Sequence, residues 1–106
     1  MKRFLLTKLA DADLLSIAEY TLRTWGEKQT EKYLNELEDA CDRFARLQET
    51  GRPCREIRPG LYRSEVRNHL IFYRRFADKI LIVRILHERM LPARHSFAEG
   101  FDNESI

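Results

Sequence analysis

The chain has 106 residues, 43% of them apolar, and a net charge of +2, which suits one compact domain with a modest core and leaves no room for a second. No apolar run approaches the ~20 residues of a membrane span, and the opening MKRFLLTKLADAD lacks the h-region and cleavage site of a secretory leader, so a cytoplasmic protein with no membrane role is expected. Cys41 and Cys54 stand alone without CxxC or paired-histidine spacing, which argues against a metal site and, in a reducing compartment, against a disulfide; no cofactor is expected, and Cys41 reads as a small core residue and Cys54 as a loop residue.

RFLLTKLA reads as a short first strand that gives way at Asp11, a plausible N-cap, to a helix whose Leu14, Ile17, Ala18, Thr21 and Trp25 follow the three-and-four spacing of one face. Trp25 is expected to plug the core at the base of a helical hairpin, because Gly26 ends this helix and a second one follows at once. That second helix is predicted from about residue 27 to residue 50, with Tyr33, Leu37, Ala40, Cys41, Phe44 and Leu47 as its apolar stripe and Gly51 as its C′ residue.

After Gly51 the period changes. GRPCREIRPG, with Pro53 and Pro59, reads as a loop or a short edge piece, since proline cannot donate to a central ladder. Three β-rich runs follow at 61–67, 69–76 and 79–86, joined by short links at Asn68 and at Ala77-Asp78, which predicts an antiparallel meander. The order is therefore strand, helix, helix, strand, strand, strand, an α+β arrangement in which a helical hairpin covers one face of a small sheet.

The last run, KILIVRILHERM, is apolar on both faces. With a period of two, Ile80, Ile82 and Leu86 share one face with Arg84, and Leu81, Val83 and Ile85 take the other. Its second face then needs a cover, from the chain's own Met90, Leu91 and Phe97, from a dimer mate or from a foreign chain. Arg84 needs a carboxylate, for which Glu65 and Glu88 are the candidates.

Charge is divided along the chain. Residues 1–51 carry 8 basic and 10 acidic side chains, residues 52–95 carry 11 and 4, and residues 96–106 carry 0 and 3, giving −2, +7 and −3. The basic middle is nearly all arginine, whose planar fork suits carboxylates, phosphates and aromatic faces, and so points to a polyanion or an acidic protein partner, unless it is only a solvated face.

Four stretches, DLLSIAEYTLRTWGEKQTEKYLNEL, GRPCREIRPGLYR, NHLIFYRR and IVRILHERM, resemble the RelE/ParE toxin superfamily on its ParE branch, in the family's order and spacing over residues 4–95. The resemblance implies a β-α-α-β-β-β fold in one domain, residues 1–95, followed by an acidic flexible tail, 96–106. It also implies a toxin of a bacterial type II toxin-antitoxin module that poisons DNA gyrase without being an enzyme, and that a ParD-like antitoxin neutralises in a hetero-oligomer, DNA being reached only through the antitoxin or gyrase.

Relatives on the RelE branch cut messenger RNA on the ribosome, which needs groups to activate the 2′-hydroxyl, hold phosphate and protonate the leaving oxygen. Here Arg63 and Arg84 could hold phosphate, His87 could act as acid or base, and Glu65 or Tyr73 could assist, with Arg63, Glu65 and Tyr73 on one face of the meander. Against this reading, the chain has only Lys79 after Lys32 and no tyrosine after Tyr73, whereas RelE-like nucleases carry several lysines and a late tyrosine. The expected contact residues for target or antitoxin are Arg63, Tyr73, Arg84, His87 and Arg89. Each also has a structural reading: a salt bridge for Arg84, a hydrogen-bonded strand-end imidazole for His87, a local role for His69, and simple solvation for Arg58, Arg67 and Arg89.

Overall fold

In the computed structural model, which describes residues 3–47, 51–90, 95 and 97, the first boundary is set by Thr7 and not by Asp11. The Thr7 hydroxyl accepts from the Ala10 N–H at 3.0 Å and so caps helix α1, Lys8–Trp25, immediately after strand β1, Phe4–Leu6. Asp11 falls in the first turn, where a carboxylate favours the helix dipole.

Gly26 ends α1 and starts α2, Glu27–Arg46, with φ 86° and ψ 175°, a conformation open essentially to glycine alone. Helix α2 closes at Arg46 with Leu47 as its C-cap, earlier than its apolar pattern suggested; residues 48–50 lie outside the described residues. Gly51 is therefore not a helix cap. A Cβ there would collide with the Tyr73 hydroxyl, so close approach is the reason for glycine at this position.

Strand β2 is the two-residue edge piece Arg52–Pro53, followed by β3, Leu61–Val66, β4, His69–Arg75, and β5, Ile80–His87. The sheet order is β1-β5-β4-β3-β2; β1 runs parallel to β5 and the other pairs are antiparallel. The β3–β4 turn puts Arg67 at φ 53° and clamps it to α2, where its Nε and Nη2 donate to the two oxygens of Glu36 at 2.6 and 3.0 Å.

The alternation in β5 does not run through the strand. Phe72 opposes Arg84 while Tyr73 opposes Ile82, leaving Val83 as one extra residue, a β-bulge. Ile85 consequently joins Ile80 and Ile82 in the core beneath the helices, with Ile17, Leu37, Phe44 and Tyr73, and Leu86 joins Val83 on the other side. The face assignments expected for Ile85 and Leu86 are thus exchanged.

The second face is closed at its centre by this chain. Cys54, Leu61, Phe72, Val83, Leu86 and Phe97 form a buried cluster with Ile57 and Leu70 against it, and the Phe97 ring stands edge-on to Phe72 at 4.9 Å. Cys54 is accordingly a core residue and not merely a loop residue. Of the tail, residues 98–106 lie outside the described residues, as does Leu91.

Trp25 does not plug the core; it is 68% exposed, because the buried stripe of α1 ends one turn earlier at Thr21. Nothing lies within 4 Å of a Cβ placed on Gly26, so the cost of a side chain there is backbone strain alone. Gly26→Ala is expected to destabilise the fold by about 1–3 kcal/mol, roughly 4–8 °C in Tm per kcal/mol for a domain of this size. A thermal melt matching the parent's would show that the turn relaxes freely.

Candidate functional site

A groove of about 730 Å³ runs between α1 and the end of the β3–β4–β5 meander, with Tyr20, Trp25, Tyr33, His69, His87 and Met90 among its walls. His95 also lines it, so all three histidines of the chain meet there. Two polar constructions hold its shape.

The first is built on Asp13, one turn before Ile17 on the buried stripe of α1. Its carboxylate accepts from Arg84 Nε and Nη2, both at 2.8 Å, and from the backbone N–H of Ile85 at 3.0 Å. The two side chains are only 10% and 14% exposed. Arg84 therefore pairs with Asp13, and not with Glu65 or Glu88. The partner was readable in principle: Asp13, Ile17 and Thr21 recur every four residues, so one acidic residue stands in an apolar stripe and needs a cation.

The second links three elements through imidazoles. The Tyr33 hydroxyl lies 2.6 Å from His69 Nδ1, the His69 and His87 rings meet edge to face at 5.5 Å, and His87 Nδ1 accepts from the Arg89 N–H at 3.1 Å. Burial pushes the Tyr33 phenol up to about 12, with Arg67 opposing and Glu36 adding. Tyr33 thus keeps its proton, and its hydroxyl bridges the His69 ring and the Val66 carbonyl, the latter at 3.4 Å. Burial first, then the neighbouring His87 charge, holds the His69 pKa below 6.5, against a smaller opposing effect of Glu88. Tyr33 and His69 were not among the contact candidates; a tyrosine hydroxyl within an apolar helical stripe is the signal that a buried partner exists.

The residues singled out from the sequence do not converge. Arg84 and His87 line the groove. Arg63 opposes Phe72 and Glu65 opposes Leu70, which places both on the face away from the helices, whereas Tyr73 is fully buried in the core beneath them. Arg63, Glu65 and Tyr73 therefore do not share a face. Tyr73 is held by Ser64 Oγ at 3.0 Å and presents no surface to a partner. Arg89 is exposed in the turn after β5, and Arg67, expected to be solvated, is bonded to Glu36.

Residues 4–92 match the family model described as ParE toxin of type II toxin-antitoxin system, parDE. The chain belongs to the ParE toxin family. It is 43% identical over 89 residues to Toxin ParE1 of Mycobacterium tuberculosis, covering 83% of this chain and 91% of that protein. It is 36% identical over 91 residues to Toxin ParE of Escherichia coli, covering 85% and 88%. A solved structure described as the chromosomal ParDE TA system from P. aeruginosa shares the fold with a TM-score of 0.67 at 19% identity, over 82% of this chain and 96% of that one. The ParE domain carries no helix among the described residues that is long and apolar enough to cross a membrane.

Two predictions follow from the polar constructions of this ParE toxin. Arg84→Met strands a buried carboxylate and is expected to cost about 3–5 kcal/mol, whereas Asp13→Asn combined with Arg84→Met, which removes the charge but keeps an acceptor for the Ile85 N–H, recovers most of that loss; denaturant melts of the parent and the two variants would show it, and equal losses for single and double variants would disprove the pairing. His69 titrates at 6.5 when unfolded and below that when folded, so its contribution is complete above pH ~6.5 and declines as the pH falls towards the depressed value. Stability should fall as the pH drops below about 6.5, ahead of the titration of Glu36, which Arg67 holds below 4.5, and His69→Gln should flatten that slope. An unchanged slope in urea melts would rule His69 out.

Proposed function

We propose that this ParE toxin arrests bacterial growth in the cytoplasm by binding DNA gyrase and blocking its cycle, without itself catalysing a reaction, and that a ParD-like antitoxin silences it within a toxin-antitoxin hetero-oligomer. DNA is then contacted only through gyrase or the antitoxin. Family membership supports the reading, and one structural observation favours it over messenger RNA cleavage. The groups that cleavage would require are dispersed: Arg63 and Glu65 on one side of the sheet, Tyr73 inside the core, and Arg84 neutralised by Asp13. His87 has its Nδ1 occupied by the Arg89 N–H. No unpaired cation of this set stands beside a general acid or base, which cleavage needs at one locus.

The groove beside α1 is the surface this reading assigns to the antitoxin. The centre of the sheet face away from the helices is already filled by Cys54, Leu61 and Phe97. Large apolar side chains are exposed instead on α1, at Leu15, Tyr20, Leu22 and Trp25, and at Met90 across the groove, the kind of surface that marks a protein-protein contact. His87 lines that groove and Arg89 follows it in the exposed turn after β5; of the expected contact residues these two and Arg63 remain accessible.

The deciding experiment measures supercoiling by purified gyrase and translation-coupled messenger RNA cleavage side by side, with this protein added to each. Inhibited supercoiling with intact messenger RNA is expected. Cleavage with unimpaired gyrase would replace the proposal with the ribosome-dependent endonuclease reading.

A further inference from the structure

The turn that follows β5 at the end of the groove bonds its backbone N–H groups in two different ways. The Glu88 N–H donates to the Asn68 carbonyl at 2.8 Å and the Met90 N–H to the His87 carbonyl at 2.9 Å. The Arg89 N–H between them donates instead to the imidazole Nδ1 of His87, at 3.1 Å. A carbonyl accepts at any pH. An imidazole nitrogen accepts only while it carries no proton, and histidine is the side chain whose charge changes between about pH 5 and 8. Met90, which forms part of the groove wall, belongs to this turn.

We propose that His87 is a pH-sensitive latch at the end of the groove: its neutral ring holds the turn through Arg89 shut, and its imidazolium releases that turn together with Met90. In the neutral ring the bond from Arg89 fixes the proton on Nε2, so the next proton has only Nδ1 to go to. Two donors then face each other and the bond is lost. His69, opposite His87 across β4 and β5, behaves differently. Its Nδ1 lies 2.6 Å from the Tyr33 hydroxyl, which also lies 3.4 Å from the Val66 carbonyl. A proton on His69 Nδ1 is donated to the Tyr33 oxygen while Tyr33 turns its own proton to Val66, so no bond is lost. Burial, not bonding, is what opposes charge on His69. One imidazole of the pair therefore adapts its hydrogen bonds to a proton and the other does not.

The groups around the two rings offer the imidazolium little in exchange for the lost bond. From α1 the groove receives the Tyr20 phenol and Asp13, the latter held by Arg84. From α2, Glu36 is bonded to Arg67, and the Tyr33 phenol, pushed up to about 12, stays neutral. Glu88 is exposed in the turn, where water screens its charge. Arg89 follows it in the same turn and His95 lines the same groove, so positive groups offset that carboxylate. The His69 and His87 rings meet edge to face at 5.5 Å, a contact between the positive edge of one ring and the negative face of the other. A proton on each turns it into a meeting of like charges. The latch acts on the groove wall itself, so it holds whichever partner occupies the groove and whether or not gyrase is the target.

The test follows the full chain by nuclear magnetic resonance between about pH 8 and 5, reading the histidine ring nitrogens, the Arg89 amide and the methyl group of Met90, one of only two methionines. As His87 takes up its proton, the Arg89 amide proton is expected to shift upfield. Its exchange protection, corrected for the intrinsic effect of pH, should fall by roughly two- to tenfold, the net worth of one hydrogen bond, and the Met90 methyl should move with the same midpoint. In His87→Asn the amide oxygen takes the place of Nδ1 and accepts at every pH, so Arg89 should stay protected throughout. In His87→Phe no acceptor remains, and Arg89 should be unprotected even at pH ~8. His69→Gln should retain the response. An Arg89 amide indifferent to the His87 titration, or as well protected in His87→Phe as in the parent, would overturn the proposal. So would a response that survives in His87→Asn, that disappears in His69→Gln, or that coincides with collapse of the whole spectrum, which is unfolding.

Discussion

The Asp13 carboxylate holds helix α1 to the longest strand where the sheet has run out of partners. Strand β1 pairs with β5 only over Ile80–Ile82, and beyond that the outer edge of β5 has backbone groups that must still be bonded. Thr7 satisfies two of them, its N–H donating to the Ile82 carbonyl and its hydroxyl to the Val83 carbonyl, and Asp13 takes the Ile85 N–H. Two side chains of the β1–α1 junction thus stand in for a missing strand. Arg84 then neutralises the carboxylate in a place too dry for it to stand alone. The bulge at Val83 belongs to the same arrangement, since it presents the Val83 carbonyl to Thr7 and lets Arg84 reach α1.

This explains which parts of the fold are legible in the sequence and which are not. The helical hairpin and the β3–β4–β5 meander follow from periodicity and turn residues, signals local to a dozen residues, and both are read correctly. The bulge is invisible to that reading because KILIVRIL is apolar at nearly every position: a one-residue slip exchanges Ile85 and Leu86 without leaving a polar residue on the wrong face. The N-cap was misplaced at Asp11 for a related reason, since Thr7 lies in a run that reads equally as strand, and only its bond to Ala10 separates the two. Trp25 fits the helical spacing, but spacing does not say where the sheet beneath the helix ends. Of the site, His87 and Arg84 were found by residue type, while Tyr33 and His69 were passed over because each looked like an ordinary member of an apolar stripe or a strand end.

The groove shows how a small domain keeps polar groups near an apolar wall without leaving them reactive. Arg84 is matched by Asp13 and Arg67 by Glu36. His69 and His87 each have one ring nitrogen occupied in the neutral state. Such groups give a surface its shape and hydrogen-bonding pattern, but little excess charge with which to hold a phosphate or drive a proton transfer. A groove built this way offers a partner its shape and its hydrogen-bonding pattern more than its charge.

The opposite treatment of the same residue type within one row of the sheet is the more informative contrast. Arg84 is nearly buried, and an unpaired guanidinium there would cost several kcal/mol, so folding itself demands a carboxylate from within the chain. Arg52 and Arg63 lie towards the solvent, where water tolerates the charge and folding exacts only a small repulsion. Stability therefore accounts for the pairing of Arg84. The same residue type is thus matched from within the chain where it is buried and left to solvent where it is exposed, as the cost of an unmet charge in each place dictates.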